Sequence, residues 1–488
     1  MRRVQLSVTK PDGLRFLLSA LLLGASVLSV GLPPAQAETL ARPDVAAQVQ
    51  ATSAAVEDSD AQLRATQEAY NLLLDNFVHP LDPADLARAG WDQLVRDAAD
   101  RKAPTPGPLP ALADDRAADW ETLRAALAAY LARPTPTPDG FVAAHSVIRG
   151  MVHFVDEGHT YFLDPQQYHD YQAWSRGENR YVGIGISLNT REAEPRVVEV
   201  YEDTPAERAG LLPGDVIVQI NDKPAAGLTL DELTAMIRGP AGTTVQLGVR
   251  RGDAPDVLVL TAQRAEIHLD FVKQRVLADD IGYILLRGFP EPSVADTIEH
   301  DVATFQQQGV HGLVIDLRGN SGGRLDVGTR LLSHFLPGGT TVYEEVDRSG
   351  RDRLRVARTG LDQYDLPLVV LVDGGTASMG EIFASAMQQH GTATVLGSPT
   401  AGSVAAAQVF GLPDGSGLQV TVFEIRAADG QQLNRVGVMP DEVIEPDPSD
   451  YASGDDPVLD RAIEILHAGN GGGGTSNLRG LSLVAEVG

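Results

Sequence analysis

Between residues 281 and 396, apolar stretches of strand length alternate with amphipathic stretches of helix length. The strand-like stretches lie at 281–286, 312–317, 366–372 and 392–396, and the helix-like ones at 292–308, 324–335 and 377–390. A strand followed by a helix and a second strand forms a parallel pair joined by a crossover. This alternation of strands and helices therefore predicts an α/β sheet covered by helices, and it constrains the fold more than any other feature of the sequence.

Other parts of the chain have a different character. Residues 61–176 contain four helix-like runs separated by proline-rich loops, which predicts an N-terminal helical region. Residues 180–266 contain short alternating strands, the first over 181–188, and two helices with predicted caps at Thr204 and Thr229, which predicts a small β-domain. A hairpin at 407–425 completes an α/β core at 267–446, a helix follows at 455–468, and residues 469–488 are predicted to form a Gly-rich disordered tail. The predicted fold class is multidomain α/β.

The N-terminus has the pattern of an export signal. Positive side chains precede an apolar run at residues 16–32, Pro33 and Pro34 end it, and Ala35-Gln36-Ala37 matches a small-x-small cleavage site. We predict a signal peptide at 1–37 and a polar linker at 38–60. An uncleaved anchor is the alternative, because the run is marginal for spanning a bilayer. The predicted location is the periplasm or cell envelope, with no membrane span after cleavage.

Composition excludes several classes of function. A chain of 488 residues is long enough for two or three domains. The formal net charge of −27 argues against nucleic acid and anionic membrane surfaces as partners. The absence of cysteine excludes disulfides, thiolate chemistry and cysteine–zinc sites.

A candidate nucleophile lies where a buried strand leads into a helix. Residues 373–381 have the sequence DGGTASMGE, directly after the apolar strand at 366–372. The glycines permit a tight turn, and a serine at the helix start is placed where the helix dipole and free N–H groups favour a developing negative charge. From spacing alone, Ser378 is either a nucleophile or a helix cap.

The β-domain resembles a bacterial protease-type PDZ domain. The matching segments are GIGI at 183–186, DTPAERAGL at 203–211, GDVI at 214–217 and IRG at 237–239. The resemblance implies that the domain binds a peptide C-terminus, which would add as an extra strand beside Val182, Gly183, Ile184, Gly185 and Ile186. A small structural domain without a ligand is the alternative.

The core resembles the carboxy-terminal processing (tail-specific) serine peptidases. The matching elements are IDLRGNSGG at 315–323, residues 366–391, and GVMPD at 437–441. The resemblance implies that Ser378 is the nucleophile and that backbone N–H groups near Gly322 or Gly323, together with that of Met379, form an oxyanion hole. Glu381 has a structural or supporting role in this reading.

One position departs from the family pattern. The base lysine of Ser-Lys members follows the nucleophile by 25 residues, and that position holds Ser403; no lysine follows Lys273. The segment DEGHT at 156–160 resembles an element of the histidine-using, tricorn-like branch, which implies that His159 is the base. Histidine also suits this task near neutral pH. A packing histidine is the alternative.

A third catalytic member is left open, with Asn434 and Ser403 as candidates. A metal site built from His153, Asp156, Glu157 and His159 has poor ligand spacing, so neither a metal nor an organic cofactor is expected. We predict an exported serine endopeptidase that captures polypeptide C-termini, with a non-catalytic PDZ-bearing binding or scaffold protein as the alternative. The sequence does not determine the oligomeric state.

Overall fold

A computed structural model describes residues 45–133, 141–176, 180–189, 194–228, 230–252, 256–268, 270–446, 450 and 455–470. The predicted signal peptide and residues 471–488 of the predicted Gly-rich tail lie outside these residues, as does Thr229, the predicted cap of the second helix in the β-domain. Residues 469 and 470, predicted to begin the tail, instead continue the last helix. Within the described ranges, no helix is long and apolar enough to cross a membrane.

The N-terminal region is helical, as its periodicity predicts. Its elements are α1 (Val45–Asn76), α2 (Pro83–Asp100), α3 (Arg116–Leu131), α4 (Ala143–Val155), the short strand β1 (Tyr161–Leu163) and α5 (Pro165–Ser175). Asp82 caps α2 by accepting a hydrogen bond from the Asp85 N–H (2.9 Å), with Pro83 at the first helical position. The predicted linker differs from the structure from Val45 onward, because that alanine-rich stretch continues α1.

The β-domain follows with eight strands and two short helices. These are β2 (Arg180–Gly183), β3 (Ile186–Asn189), β4 (Arg196–Val200), α6 (Pro205–Arg208), β5 (Val216–Ile220), β6 (Lys223–Pro224), α7 (Leu230–Ile237), β7 (Thr244–Arg250), β8 (Val257–Gln263) and β9 (Ala265–His268). The main sheet has the order β3-β4-β5-β7-β8, β6 pairs with β5, and β2 pairs with β9.

One prediction for this domain is wrong. A single alternating strand was expected over 181–188, yet β2 ends at Gly183 and β3 begins at Ile186. Gly185 has φ +87°, and a Cβ there would lie 2.4 Å from Thr204. The backbone therefore turns at Gly185 where only glycine fits, and the two halves pair with different strands.

The core contains the predicted α/β sheet. Its elements are β10 (Val272–Leu277), a 3-10 turn (Ala278–Asp280), β11 (Ile281–Leu286), α8 (Ser293–Gln308), β12 (Gly312–Asp316), α9 (Leu325–Leu332), β15 (Leu368–Val372), α10 (Met379–Gln389), β16 (Ala393–Gly397), β19 (Glu442–Val443) and α11 (Pro457–Asn470). The order is β10-β11-β12-β15-β16-β19, parallel except at β10. Helices α8, α9 and α10 pack on one face, and α11 on the other. The predicted fold class is confirmed.

A second sheet joins the core to the helical region. Its order is β1-β18-β13-β14, formed by β13 (Thr341–Val346), β14 (Asp352–Val356) and the long β18 (Gly417–Ala427), and β17 (Ala405–Gly411) pairs with β18. Leu418 and Val420 of β18 belong to the same buried cluster as the side chains of α1 to α4. The sheet therefore fixes the loop after α4 against the carboxyl ends of β15 and β16, where ligands bind in open α/β sheets.

Candidate active site

The turn between β15 and α10 is held by Asp373. Its Oδ1 accepts hydrogen bonds from the N–H groups of Gly319 (2.8 Å) and Gly375 (2.9 Å), while the Thr376 hydroxyl donates to the Leu317 carbonyl (2.8 Å). Burial raises the pKa of Asp373, and the two N–H donors oppose that rise. The turn that precedes Ser378 and the loop after β12 are thereby held together.

Ser378 directly precedes α10 in a strained backbone conformation. Its φ is 54° and its ψ is −120°, a region that residues other than glycine rarely adopt. Its N–H donates to the Ser403 carbonyl (2.8 Å) and to Glu381 Oε2 (3.1 Å). Strand–turn–helix nucleophiles of hydrolases have this kind of sharp, strained turn, which exposes the hydroxyl above the sheet.

Glu381 is buried and accepts hydrogen bonds from several groups around this turn. Its two carboxylate oxygens accept from the Thr400 hydroxyl (2.6 Å) and from the N–H groups of Gly402 (2.7 Å), Ser403 (2.8 Å) and Ser378 (3.1 Å). Burial raises the pKa of Glu381, and these donors work in the opposite direction. The side chain therefore positions both the nucleophile backbone and the loop after β16.

The predicted oxyanion-hole residues surround Ser378. Gly322 has φ +94°, and a Cβ there would lie 2.5 Å from Ser378 Cβ, so the glycine allows a close approach. The Gly322 N–H donates to Asn320 Oδ1 (2.8 Å). Within the described residues, the N–H groups of Gly323 and Met379 have no hydrogen-bond acceptor. These two N–H groups are therefore free to donate to a bound group.

His159 lies in the loop between α4 and β1 and is buried. Its Nδ1 is 3.2 Å from Glu157 Oε1, and its backbone N–H donates to Glu157 Oε2 (3.0 Å). A carboxylate only accepts, so this contact places the imidazole proton on Nδ1 and leaves Nε2 as an acceptor. Nε2 is 3.4 Å from Ser403 Oγ, which is also buried.

Glu157 was not among the predicted site residues. Its carboxylate also accepts from the hydroxyls of Thr160 (3.2 Å) and Thr421. Burial alone would raise the pKa of Glu157, but the hydrogen bond and charge of His159 and the Thr421 bond bring it below its usual value. Glu157 is thus ionised beside the imidazole. Its position two residues before His159 was the sequence feature that could have indicated a carboxylate beside the histidine.

Ser403 contacts both Ser378 and His159, the two predicted catalytic residues. The Ser403 carbonyl accepts from Ser378, and its hydroxyl lies beside His159. No direct hydrogen bond joins His159 to Ser378 in the described part of the chain. Asn434, the other candidate, accepts from the Val404 N–H (3.4 Å) and so supports the loop backbone. His153 points elsewhere, to Gln93 Oε1 (3.4 Å).

Among the described strands, β3 lies at the edge of the main sheet of the β-domain; of the predicted peptide-binding residues, Ile186 lies on β3, and Ile184 and Gly185 directly precede it. Within the described residues, β3 pairs with β4 alone, and Ile186 and Leu188 are half-buried against the domain core. The carbonyls of Ile184 and Gly185 accept from Ala206 (2.8 Å) and Tyr201 (3.0 Å). Val182 and Gly183 belong to β2, on the other side of the turn.

Comparison with known proteins identifies the family. Residues 280–444 match the model of Peptidase family S41, and residues 196–251 match that of the PDZ domain. A carboxyl-terminal-processing protease of Synechocystis sp. is 34% identical over 322 residues, which are 65% of this chain and 74% of that protein. The chain belongs to the carboxyl-terminal-processing proteases. It is therefore a serine-type peptidase with a PDZ domain, and both predictions are confirmed.

Other members of the family include chloroplast and bacterial proteins. Carboxyl-terminal-processing peptidase 2, chloroplastic, of Arabidopsis thaliana is 33% identical over 309 residues, 61% of this protease and 59% of that protein. Among solved structures, the photosystem II D1 C-terminal processing protease has a TM-score of 0.55 at 24% identity and covers 79% of this chain and 93% of its own. That likeness concerns the fold.

Proposed function

We propose that this protease is an exported endopeptidase in which Ser378 attacks the scissile carbonyl and His159 is the base. The observation that carries the proposal is the buried array of Ser403, His159 and Glu157 beside the strained nucleophile turn. A histidine oriented by a carboxylate is a sufficient base for a serine near neutral pH. The alternative of a non-catalytic scaffold loses its support, because the chain belongs to a peptidase family.

In the proposed mechanism, Ser403 relays the proton. As Ser378 Oγ forms a bond to the carbonyl carbon, its proton passes to Ser403 Oγ, and the Ser403 proton passes to His159 Nε2. The N–H groups of Gly323 and Met379 donate to the oxyanion. The imidazolium then protonates the leaving amine, and water hydrolyses the acyl-enzyme by the reverse proton path. Glu157 stabilises the imidazolium throughout.

A fluorophosphonate probe, which labels activated serines, tests this assignment together with β-casein hydrolysis. We expect labelling and hydrolysis in the wild type, loss of both in Ser378→Ala, and a fall of about 10²- to 10⁴-fold in His159→Ala. Ser403→Ala should lie between the wild type and His159→Ala. Hydrolysis that survives Ser378→Ala would refute the nucleophile, and hydrolysis unchanged in His159→Ala would refute the base.

We also propose that the PDZ domain, within residues 180–266, captures polypeptide C-termini at the free edge of β3. The half-buried Ile186 and Leu188 offer an apolar surface to the last side chains of the peptide, and the turn at Gly185 precedes that edge. Fluorescence anisotropy with Ser378→Ala separates binding from cleavage. A peptide with a free carboxylate should bind at least ~10-fold more tightly than its C-terminal amide; equal binding would contradict the proposal.

Export rests on the N-terminal sequence alone. The proposal is that cleavage after Ala37 releases the chain into the periplasm or cell envelope. N-terminal sequencing of the protein from its native envelope should give Glu38 as the first residue, whereas an intact N-terminus in the membrane fraction would favour the anchor.

A further inference from the structure

Two loops approach each other at the candidate base. His159 lies in the loop at 156–160, between α4 and β1, and Ser403 lies in the loop at 400–404, which precedes β17. His159 Nε2 and Ser403 Oγ are 3.4 Å apart, whereas proton transfer through a hydrogen bond needs about 2.6–3.2 Å. A relay through Ser403 therefore depends on the groups that hold these two loops together.

The loop at 400–404 packs closely against the segment at 433–438. The Arg435 N–H donates to the Gly402 carbonyl (2.6 Å). Gly402 has φ +65°, and a Cβ there would lie 3.0 Å from the nearest backbone nitrogen of the segment, so glycine is what allows this approach. The backbone of Arg435 is thereby fixed relative to Ser403.

The exposed side chain of Arg435 extends from this segment to the loop of His159. Its Nη2 donates to the Asp156 carbonyl (2.9 Å). Asp156 caps the C-terminus of α4 in a left-handed conformation (φ 49°, ψ 45°). The last carbonyls of a helix have no intrahelical partner, and Arg435 supplies one for Asp156.

Strand β18 also holds the loop of His159. Gln419 Nε2 donates to the His159 carbonyl (2.9 Å), and the Thr421 N–H donates to the Thr160 hydroxyl oxygen (3.0 Å). These bonds fix the loop to the second sheet. The bond from Arg435 ties it in addition to the segment that holds Ser403.

We propose that Arg435 is a positioning residue that keeps His159 within proton-transfer distance of Ser403. Its backbone bonds the loop of Ser403, and its side chain bonds the loop of His159. Removing the side chain would release the second loop and leave the bond to Gly402 in place. This inference rests on the proposed function and adds a residue that controls the geometry of the same site. A displacement of about 1 Å at a catalytic group can cost 10²-fold in rate.

Two substitutions at position 435, which share its positive φ of 66°, test the side-chain bond. Arg435→Met removes the donor, whereas Arg435→Lys keeps one for the Asp156 carbonyl. We expect Arg435→Met to lower kcat for β-casein and the rate of fluorophosphonate labelling by ~10-fold or more, with little change in KM. Arg435→Lys should retain most of both rates.

The matched control is Arg358→Met. Arg358 is also exposed and also donates to a backbone carbonyl, that of Asp326 (3.0 Å). Its substitution should leave kcat and labelling at the wild-type rate. The urea midpoint of Arg435→Met should match that of Arg358→Met, which shows that the rates are compared on folded enzyme.

A double-mutant cycle with His159→Ala separates positioning from a general structural role. If Arg435 acts through the imidazole, Arg435→Met should slow labelling by less than ~2-fold in the His159→Ala background. A loss there as large as in the wild-type background would overturn the inference. Wild-type rates in Arg435→Met would also overturn it, as would rates in Arg435→Lys that are as low as those in Arg435→Met.

The same measurements separate this inference from the proposed function. Labelling of His159→Ala at the wild-type rate would refute the base itself. Slow labelling of His159→Ala, combined with a further full loss in the double variant, would refute the role of Arg435 alone and leave His159 as the base.

Discussion

At the residue scale, the candidate site depends on one fully buried carboxylate, that of Glu381. Glu381 holds the Ser378 N–H and the loop at 400–403 with the same two oxygens. Ser378 has a positive φ, which costs of order 1–3 kcal/mol unless its surroundings fix it. The four hydrogen bonds to Glu381 supply that constraint.

Glu381→Gln should therefore destabilise the fold and impair the nucleophile. One oxygen becomes an NH₂ group, which leaves two buried donors without an acceptor at a cost of about 2–5 kcal/mol. Urea denaturation should show this loss, and labelling of Ser378 should slow. Glu207→Gln is the matched control, because Glu207 also accepts at a helix start, from the Asp203 N–H (2.7 Å), but is exposed. Equal effects of the two substitutions would contradict the argument.

Glu157→Gln tests the orientation of His159. The amide cannot stabilise an imidazolium, so kcat should fall by about 10²- to 10⁴-fold with little change in KM. Asp156→Asn, one residue away and in a left-handed conformation that asparagine tolerates, should retain activity. A kcat loss shared by both variants would point to a structural role for the loop.

Glu157→Gln should also change how the stability of the protein depends on pH. The pKa of Glu157 is lowered in the folded protein, so the stability it contributes is present above its unfolded value and is lost as pH falls through the folded one. Between neutral pH and pH ~3, a window that spans the usual glutamate pKa, the urea midpoint of the wild type should fall further than that of Glu157→Gln. Parallel curves would refute the depressed pKa.

Residues close in sequence were predictable, and residues joined only by the fold were not. The strand, the glycine turn and the helix start around Ser378 were predicted from the local pattern, while its proposed role as nucleophile came from the family resemblance. The support of Glu157 comes from Thr421 on β18, which lies far along the chain, and no local pattern indicates that contact. Ser403 was suggested by its position in the family pattern, but its place between His159 and Ser378 depends on how two sheets meet.

At the element scale, the approach of the loop at 320–323 to the start of α10 determines the site. Gly322 has no room for a side chain beside Ser378. Strand and helix periodicity predicted the elements on both sides of this contact, because the core is a regular α/β sheet. The break at Gly185 was missed, since an alternating pattern continues through a glycine that turns the backbone.

Gly322→Ala should lower activity by more than 10²-fold, because the new Cβ displaces Ser378 and the Met379 N–H. Gly339→Ala is a close control. Its φ is +90°, against +94° for Gly322, but a Cβ there has no atom within 4 Å. Both variants carry the conformational cost of about 1–2 kcal/mol, and the contact with Ser378 adds to it at position 322, so thermal unfolding should shift in both and further in Gly322→Ala. Only Gly322→Ala should lose fluorophosphonate labelling. Loss of labelling in both variants would mean that the backbone strain of the substitution, and not the contact with Ser378, inactivates the enzyme.

At the scale of the whole molecule, the PDZ domain is joined to the core by a partly buried ion pair. Glu199 on β4 accepts from Arg287 Nη2 (2.7 Å) and Nε (3.0 Å) at the end of β11, and Arg287 lies over the Tyr201 ring. Burial raises the pKa of Glu199 although Arg287 opposes it. Sequence predicted the two domains, but the contact between them is set by surfaces that no periodicity describes.

The pair makes a double-mutant cycle informative. Arg287→Met leaves a partly buried carboxylate without its partner and should cost about 1–3 kcal/mol, whereas adding Glu199→Gln should recover much of that loss. Lys273→Met breaks the more exposed contact with Glu202 and should cost under ~1 kcal/mol. Unfolding in urea is measured for the single variants Arg287→Met and Glu199→Gln, for the double variant and for Lys273→Met. The pKa of Glu199 is raised in the folded protein, so the stability that Glu199 contributes is present at low pH and is lost as pH rises through its folded pKa. Glu199→Gln should therefore stabilise Arg287→Met more at pH 8 than at pH 5. Additive losses in the cycle would show that the two side chains act independently and that the domains are held together elsewhere.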